Sequence, residues 1–413
     1  METFEPLKNR NLRTYLSGQA VSLIGTWMQV TAQSWVVWKL TGSEAALGTV
    51  GMMGTIPYLL LGPIAGTLAD RWDRRKILVY TQSIAMLLAV VLAGLVWTDT
   101  VQLWHVYALA MTLGTVSALD LPAAQAFIGD MAGRDMIRKA VVVNGMIVQV
   151  SRVLGPTLAG LVVAKLGAAT AFGINALSFV AVIASILAVK ATQGARAPGA
   201  TSGGFREGLS FVRSHRRIQD LMILTGLVTF FIFSVSQILP SFAERTLHGG
   251  VDLYGTLMGA SGAGALLAVI VIVPWAQRLR RTGLMLVTVL GIAGALVMLF
   301  SVMQTSALAL AVYFMAGMCP PIILTTNNGL LQVLAPNEMR ARLLSLYLMV
   351  SFGLQPLSNL WVGAMAEAAG APWAIRANGL ALLLAAAVML LRPGLTHWEP
   401  GAPGAKPATT GAR

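Results

Sequence analysis

The chain has 413 residues, of which 56% are hydrophobic and only 11% charged. That is too little charge to cover a soluble protein of this length, so a polytopic membrane protein with almost no extramembrane domain is implied. The net charge of +13 does not point to nucleic acid, because the basic residues sit in short loops between apolar runs, where they set membrane orientation.

Crossing a bilayer takes about 20 mainly apolar residues in a helix. Counting the stretches between charges predicts spans at 14–38, 45–69, 77–98, 101–127, 140–164 and 167–189, the fourth interrupted by Asp120 and the fifth by Arg152. After a polar segment at 191–217, further spans are predicted at 221–243, 253–277, 343–366 and 373–391. The stretch 282–337 carries no charge and is too long for one crossing, so it is split at Gln304-Thr305-Ser306 into spans nine and ten. The fold class is therefore an all-α membrane protein of twelve transmembrane helices in two six-helix bundles.

With twelve spans both termini lie on one side. Every Lys and Arg except Lys39, Arg152, Lys165, Arg245 and Arg376 falls in the terminal segments or the loops on that side, which is predicted to be cytoplasmic. The expected organisation is an N-terminal bundle at 1–190 and a linker at 191–217. A C-terminal bundle at 218–392 and a disordered cytoplasmic tail at 393–413 follow. Within the linker, Phe205, Leu209 and Val212 share a face, which predicts a short amphipathic helix on the inner leaflet. The N-terminus does not read as a signal peptide, because the apolar run after Arg13 is too long and lacks a small-residue cleavage site.

The loop between spans two and three, from Gly66 through Asp70 and Arg71 to Arg74, Arg75 and Lys76, puts six charges into seven residues at its end. Its spacing, G-x-x-x-D-R-x-x-R-R/K, resembles the loop between helices two and three of the major facilitator superfamily, with Asp73 where the superfamily usually has glycine. The form D-R-x-D-R-R is similar to the branch containing siderophore and macrolide exporters. Segments at 25–29, 118–122, 152–156 and 340–345 resemble the same branch, so the likeness covers nearly the whole chain. It implies two bundles rocking about a central cavity at an inner (cytoplasmic) membrane, and export as the direction. The R-x-x-Q-G signature of proton antiporters is absent from span four, although protons stay in view as the coupling ion.

Asp120 is expected near the cytoplasmic face, paired with Arg74 or Arg75. Together with Gly66, Asp70 and Arg71 it would form a conformational latch; substrate or proton binding by Asp120 is the other reading. Asp70 could also cap a neighbouring helix. Arg152 lies near mid-membrane on one face with Asn144 and Val148. That face either lines the cavity, Arg152 holding an acidic or hydrogen-bonding substrate, or Arg152 pairs with Asp120 or with helix-end carbonyls. The remaining cavity candidates are Gln29 and Gln33 of the polar stripe Ser22-Thr26-Gln29-Gln33, then Phe233, Gln237, Asn327 and Gln355. Hydrogen bonding between helices explains the stripe equally well. Thr325-Thr326-Asn327-Asn328 is predicted to unwind locally. Gly155, Pro156 and Gly160 either bend span five or let a neighbouring helix approach. Glu244 and Arg245 read as an outer gate or a solvated pair.

The amide-rich, aromatic cavity so predicted suits a bulky amphipathic small molecule. A lipid-handling facilitator or flippase, and a receptor or assembly factor that transports nothing, are the other readings. Neither a nucleophile–base pair nor a His/Cys ligand cluster appears, so no enzyme activity, metal or cofactor is expected. Cys319 is the only cysteine, which excludes an intrachain disulfide. The molecule is expected to act as a monomer, with no nucleic acid partner.

Overall fold

The structure, a computed structural model, describes residues 2–189, 205–276, 279 and 281–392, and outside these fall the first part of the linker and the tail beyond 392. Side chains at 63–71 also lie outside the description, so Gly66, Asp70 and Arg71 are placed by backbone alone. Among the described residues the chain is helical, without strands. Span one is Arg10–Thr41, span two Glu44–Arg71 and span three Arg74–Trp97. Spans four and five are Leu103–Gly133 and Met136–Leu166, and span six is Ala168–Ala188. Span seven is Arg216–Gln237, and short irregular turns at Leu239–Ser241 and Phe242–Thr246 follow it outside the span. Spans eight to twelve are Val251–Ala276, Thr282–Ser301, Ser306–Leu334, Arg342–Ala369 and Ala371–Leu390.

Eleven of these helices are long and apolar enough to cross a membrane. The first falls short by composition, because Ser22, Thr26, Gln29 and Gln33 dilute it. Local chemistry sets the boundaries. Asn9 caps span one, its side chain accepting from the amides of Asn11 and Leu12. Gly42 ends that span in the left-handed region at φ 60°. Asp73, the departure from the superfamily glycine, caps span three by accepting from the amides of Arg75 and Lys76. Gly133, at φ 72°, is the single non-helical residue between spans four and five.

Span seven is not a regular helix. It passes through a π turn at Val228–Ile232 and a 3₁₀ turn at Phe233–Gln237. Pro240 follows, and its ring meets the carbonyl four residues back while offering no N–H, which breaks the α pattern there. Span ten, by contrast, is continuous through Asn327. The predicted unwinding at 325–328 is absent, because its two prolines, Pro320 and Pro321, lie upstream and the asparagine amides find partners without freeing the backbone.

Tryptophans mark the two membrane edges. Trp97, Trp104 and Trp373 are exposed at the ends of spans three, four and twelve, and Trp72 and Trp275 at the opposite end. Between them runs a belt of exposed aliphatic side chains such as Leu87, Leu161, Leu177 and Ile292, the face that lipid covers. The short helix Phe205–Ser214 packs on span eleven, where Glu207 pairs with Arg342 and Gly208 lies against Leu346.

The buried core has an asymmetric layout. At the end carrying the 1–2, 7–8 and 11–12 turns, one cluster runs through both bundles, joining Trp35, Leu47 and Phe172 to Phe242, Tyr254, Phe300 and Ile375. Toward the end carrying the described termini it divides. One cluster there belongs to the first bundle, around Leu12, Tyr15 and Phe127. Another belongs to the second, around Leu221, Leu331 and Tyr347. Among the described residues, the buried core is thus shared by the bundles at the turn end and divided between them toward the terminal end.

Candidate functional site

The bundles meet along two helix pairs, span two on span eleven and span five on span eight, and glycines set both. A Cβ on Gly48 would come within 2.5 Å of the Asn359 carbonyl and 2.9 Å of the Gly363 Cα. Gly255 faces the Pro156 carbonyl and Gly160, Gly259 faces Thr157, and Gly262 faces the Arg152 carbonyl. Backbones at such distances exclude any side chain larger than hydrogen. Gly160 belongs to this packing, abutting Val251 and Asp252, whereas Gly155 abuts Trp27 and the Ile24 carbonyl of span one, within the first bundle. Gly155, Pro156 and Gly160 keep helical dihedrals, and both glycines sit where a neighbouring helix comes close. The spacing Gly255-x-x-x-Gly259-x-x-Gly262 on span eight and Gly48-x-x-Gly51 on span two are the sequence signals that would have found the two halves of the seam.

Polar side chains lock its turn end. Glu44, buried at the start of span two, accepts from Arg245 at 2.7 Å and Ser241 at 2.6 Å. Arg245 also donates to the Gly42 carbonyl at 2.9 Å and stacks over Trp38. Glu244 accepts from Lys39 and from Trp38 Nε1, both at 2.7 Å. The Lys39 ammonium bonded to Glu244 holds that carboxyl below its ordinary value. Glu367 accepts from Ser43 Oγ and the Ala45 amide at the start of span two. Adjacent in sequence, Glu244 and Arg245 thus each take a partner from the opposite bundle. Among the described residues, every hydrogen bond between the bundles lies at this end.

Midway along span five, Arg152 projects into the seam. Its guanidinium lies 5.1 Å from the Trp27 ring of span one and 5.9 Å from the Phe233 ring of span seven. Tyr313 of span ten is its electrostatic neighbour. Arg152 and Phe233 are therefore brought together, and Trp27 joins them. The alternative pairing of Arg152 with Asp120 is not formed. Asp120 instead accepts from Thr81 Oγ1 at 2.5 Å and Gln82 Nε2 at 3.0 Å, inside the first bundle.

Other predicted cavity residues have different employment. Gln29 accepts from Asn175 Nδ2 at 2.7 Å, because the polar stripe of span one faces span six, where Gly18 and Gly25 also abut Ser185 and Ser178. Asn327 donates to the Leu221 carbonyl at 2.6 Å and to Thr225 at 2.7 Å, tying span ten to span seven. Gln237 crosses the seam to the Leu47 carbonyl at 2.5 Å and so belongs to the seal. Asn144 is buried and its carbonyl oxygen has no hydrogen-bond partner. Gln33 and Gln355 are half-buried.

The latch also differs from expectation. Arg74 pairs with Asp130 at 2.5 Å, and Arg75 donates to the Leu187 carbonyl, so neither reaches Asp120. The reason is helix length: span four continues to Gly133, which sets Asp120 about 20 Å before its end and Asp130 beside the 2–3 loop. Nothing in the sequence points to Asp130, because the apolar run itself stops near Phe127. A second pair absent from the sequence reading is Arg392 with the fully buried Asp220, at 2.7 Å, joining the ends of spans seven and twelve.

A family model described as transmembrane secretion effector matches residues 1–404. An MFS-type transporter of Bacillus subtilis, YfiS, is 31% identical over 268 residues, and the match spans 62% of this chain and 62% of that relative's length. The staphyloferrin A transporter of Staphylococcus aureus is 24% identical over 86% of this chain and 89% of its own. The multidrug efflux pump Tap of Mycolicibacterium fortuitum is 26% identical over 91% and 94%. Among solved structures, a bacterial homologue of the human lysosomal transporter Spinster superposes with a TM-score of 0.75 at 14% identity, over 96% of this chain and 99% of that one. At that identity the likeness is one of fold. These relatives and neighbours are membrane transporters rather than enzymes.

Proposed function

The chain belongs to the transmembrane secretion effector family of the major facilitator superfamily, and from that premise we propose that it exports a small amphipathic molecule by alternating access. The observation that carries the reading is the divided core, one cluster across both bundles at the turn end and two separate clusters at the terminal end. A protein built this way can admit cargo at one end while the other stays shut. The Lys/Arg bias supports placing the terminal end in the cytoplasm, at the inner membrane, with the turn end outside. The conformation is then the one that loads cargo from within the cell.

Cargo would reach the level of Arg152 from the cytoplasmic side. Release outside requires the terminal ends to approach and the turn ends to part, with rupture of the Glu44–Arg245 and Lys39–Glu244 pairs. The named cargoes of the relatives, staphyloferrin A and drugs, support a siderophore or drug-like molecule. Mass spectrometry of extracts and media from cells with and without the protein tests this. Export predicts a compound enriched in the medium and depleted inside when the protein is present. Identical profiles across siderophore and drug challenges would refute it. Reporter fusions check orientation: Asp73, Arg134, Gly203 and Arg280 should read inside, and Glu44, Asp99, Gly167 and Gly370 outside.

A further inference from the structure

We infer that the cargo is an organic acid, whose carboxylate docks on Arg152 while its apolar body lies between Trp27 and Phe233. The inference deepens the export reading and rests on it. The guanidinium carries five N–H donors. Among the described residues no carboxylate meets them and no hydrogen bond is made; what the structure gives Arg152 is the faces of two aromatic rings and the nearby Tyr313. A cation at mid-membrane is retained where it has protein partners, water or an anion to face. The planar fork of donors matches a carboxylate in two-point fashion.

The surroundings favour an acid with an apolar body over a small inorganic anion. Trp27 belongs to the first bundle and Phe233 to the second, so a ligand seated on Arg152 touches both moving parts. Phe233 opens the 3₁₀ turn of span seven, the most irregular stretch at the seam. A second unpartnered group lies on the same face of span five. Asn144, eight residues before Arg152 and so about 12 Å along the helix, is only 8% exposed, and its carbonyl oxygen has no partner. A cargo with a hydroxyl or N–H donor at that distance from its acid group would satisfy both residues. A guanidinium without a hydrogen-bond acceptor and a buried carbonyl oxygen without a donor, on one helix face, fit a ligand that carries both complementary groups.

The test uses 2-naphthoate and its neutral isostere 2-naphthamide as probes with the full-length protein in detergent. Naphthoate should raise the melting temperature and bind about tenfold tighter than naphthamide, the worth of a charge-assisted pair. Arg152→Gln should erase that preference, and Arg152→Lys should keep part of it. Equal behaviour of acid and amide, or an acid preference that survives in R152Q, overturns the assignment. A measurement on the unmutated protein covers the case in which the variants do not fold. Phenylglyoxal labelling of Arg152, mapped by mass spectrometry, should be blocked by naphthoate and not by naphthamide. Unblocked labelling counts against the proposal. Protection by phosphatidylglycerol with no effect of naphthoate overturns it in favour of a lipid headgroup. Efflux of uncharged or cationic compounds at full rate in R152Q cells would sink the acid assignment and leave export standing. No efflux difference for any compound would sink export itself.

Discussion

Arg245, in the turn after span seven, donates to Glu44 of span two at 2.7 Å, and the two residues come from opposite bundles. The carboxylate is almost wholly buried and the guanidinium half exposed, with side-chain exposures of 4% and 57%. The burden of desolvation therefore falls on Glu44, which offsets it by accepting from Ser241 as well. Such a pair favours one arrangement of the bundles without making it permanent. The arginine keeps access to water, which can solvate it when the seam opens.

Glu44→Gln should weaken the closed turn end by roughly 1–3 kcal/mol, because Arg245 loses its charged partner while the helices still pack. Adding Arg245→Gln should restore part of that loss, since no charge is then stranded. Distances between spin labels at Thr41 and Gly249, in a protein freed of Cys319, would report the opening. Unchanged distances in E44Q would show that the glycine seam alone holds this end.

Acid should loosen the same end. Glu244 is held below the ordinary glutamate value of 4.5 by its bond to Lys39. A carboxylate lowered in this way supports the closed state fully above its ordinary value and loses that support as pH falls through the lowered one. The label distance should therefore be constant from neutral pH down to about 4.5 and lengthen below it. The effect should be small and weaken in salt, since both side chains are partly exposed. Lys39→Gln should move the transition toward higher pH; a transition in the same place in both proteins would contradict the assignment to this pair.

Gly48→Ala and Gly363→Ala should hinder closure of the turn end, because each new methyl meets the opposite backbone at 2.8 Å or less. Overpacking of this kind costs about 1–3 kcal/mol, which is roughly tenfold or more in the balance of states. Gly94→Ala and Gly173→Ala, where nothing lies within 4 Å, serve as controls and should transport normally. Equal transport in all four variants would mean that the seam tolerates bulk.

The twelve spans were legible because runs of apolar residues between charges are what the bilayer demands, and most of the observed ends agree with them to within a few residues. Arg152 and Phe233 were legible as polar and aromatic breaks in such runs. The partners of the polar residues were not. Gln29 and Asn327 look like cavity amides in a linear reading, yet which helix each faces depends on helix order around the bundle, and here they bond to Asn175 and Leu221. Asp120 reads as a partner of Arg74 or Arg75 only while span four is ended at Phe127, six residues short of its observed end. Pairs such as Asp220–Arg392, separated by nearly a whole bundle, leave no local pattern at all.

The Arg74–Asp130 pair and Asp120 can be told apart by what each loses on neutralisation. Arg74 and Asp130 are both mostly buried, with side-chain exposures of 18% and 16%. Asp130→Asn should strand the Arg74 charge and cost about 1–3 kcal/mol in the stability of the first bundle. The double change Arg74→Gln with Asp130→Asn should recover part of it. Asp120 meets neutral donors, the Thr81 hydroxyl and the Gln82 amide. Asparagine offers an oxygen in the same place and can accept both bonds, so Asp120→Asn should cost less than about 1 kcal/mol, while Asp120→Leu, which accepts nothing, should cost more. Thermal unfolding of the four variants in detergent, at matched expression, decides the matter. If Asp120→Asn melts as early as Asp130→Asn, then the charge of Asp120 and not merely its acceptor oxygen holds the bundle, and the original latch would regain its case. If Asp120→Asn melts normally and yet slows efflux, the carboxylate acts in the transport cycle itself, as a group that gains and loses a proton while its hydrogen-bond frame stays in place.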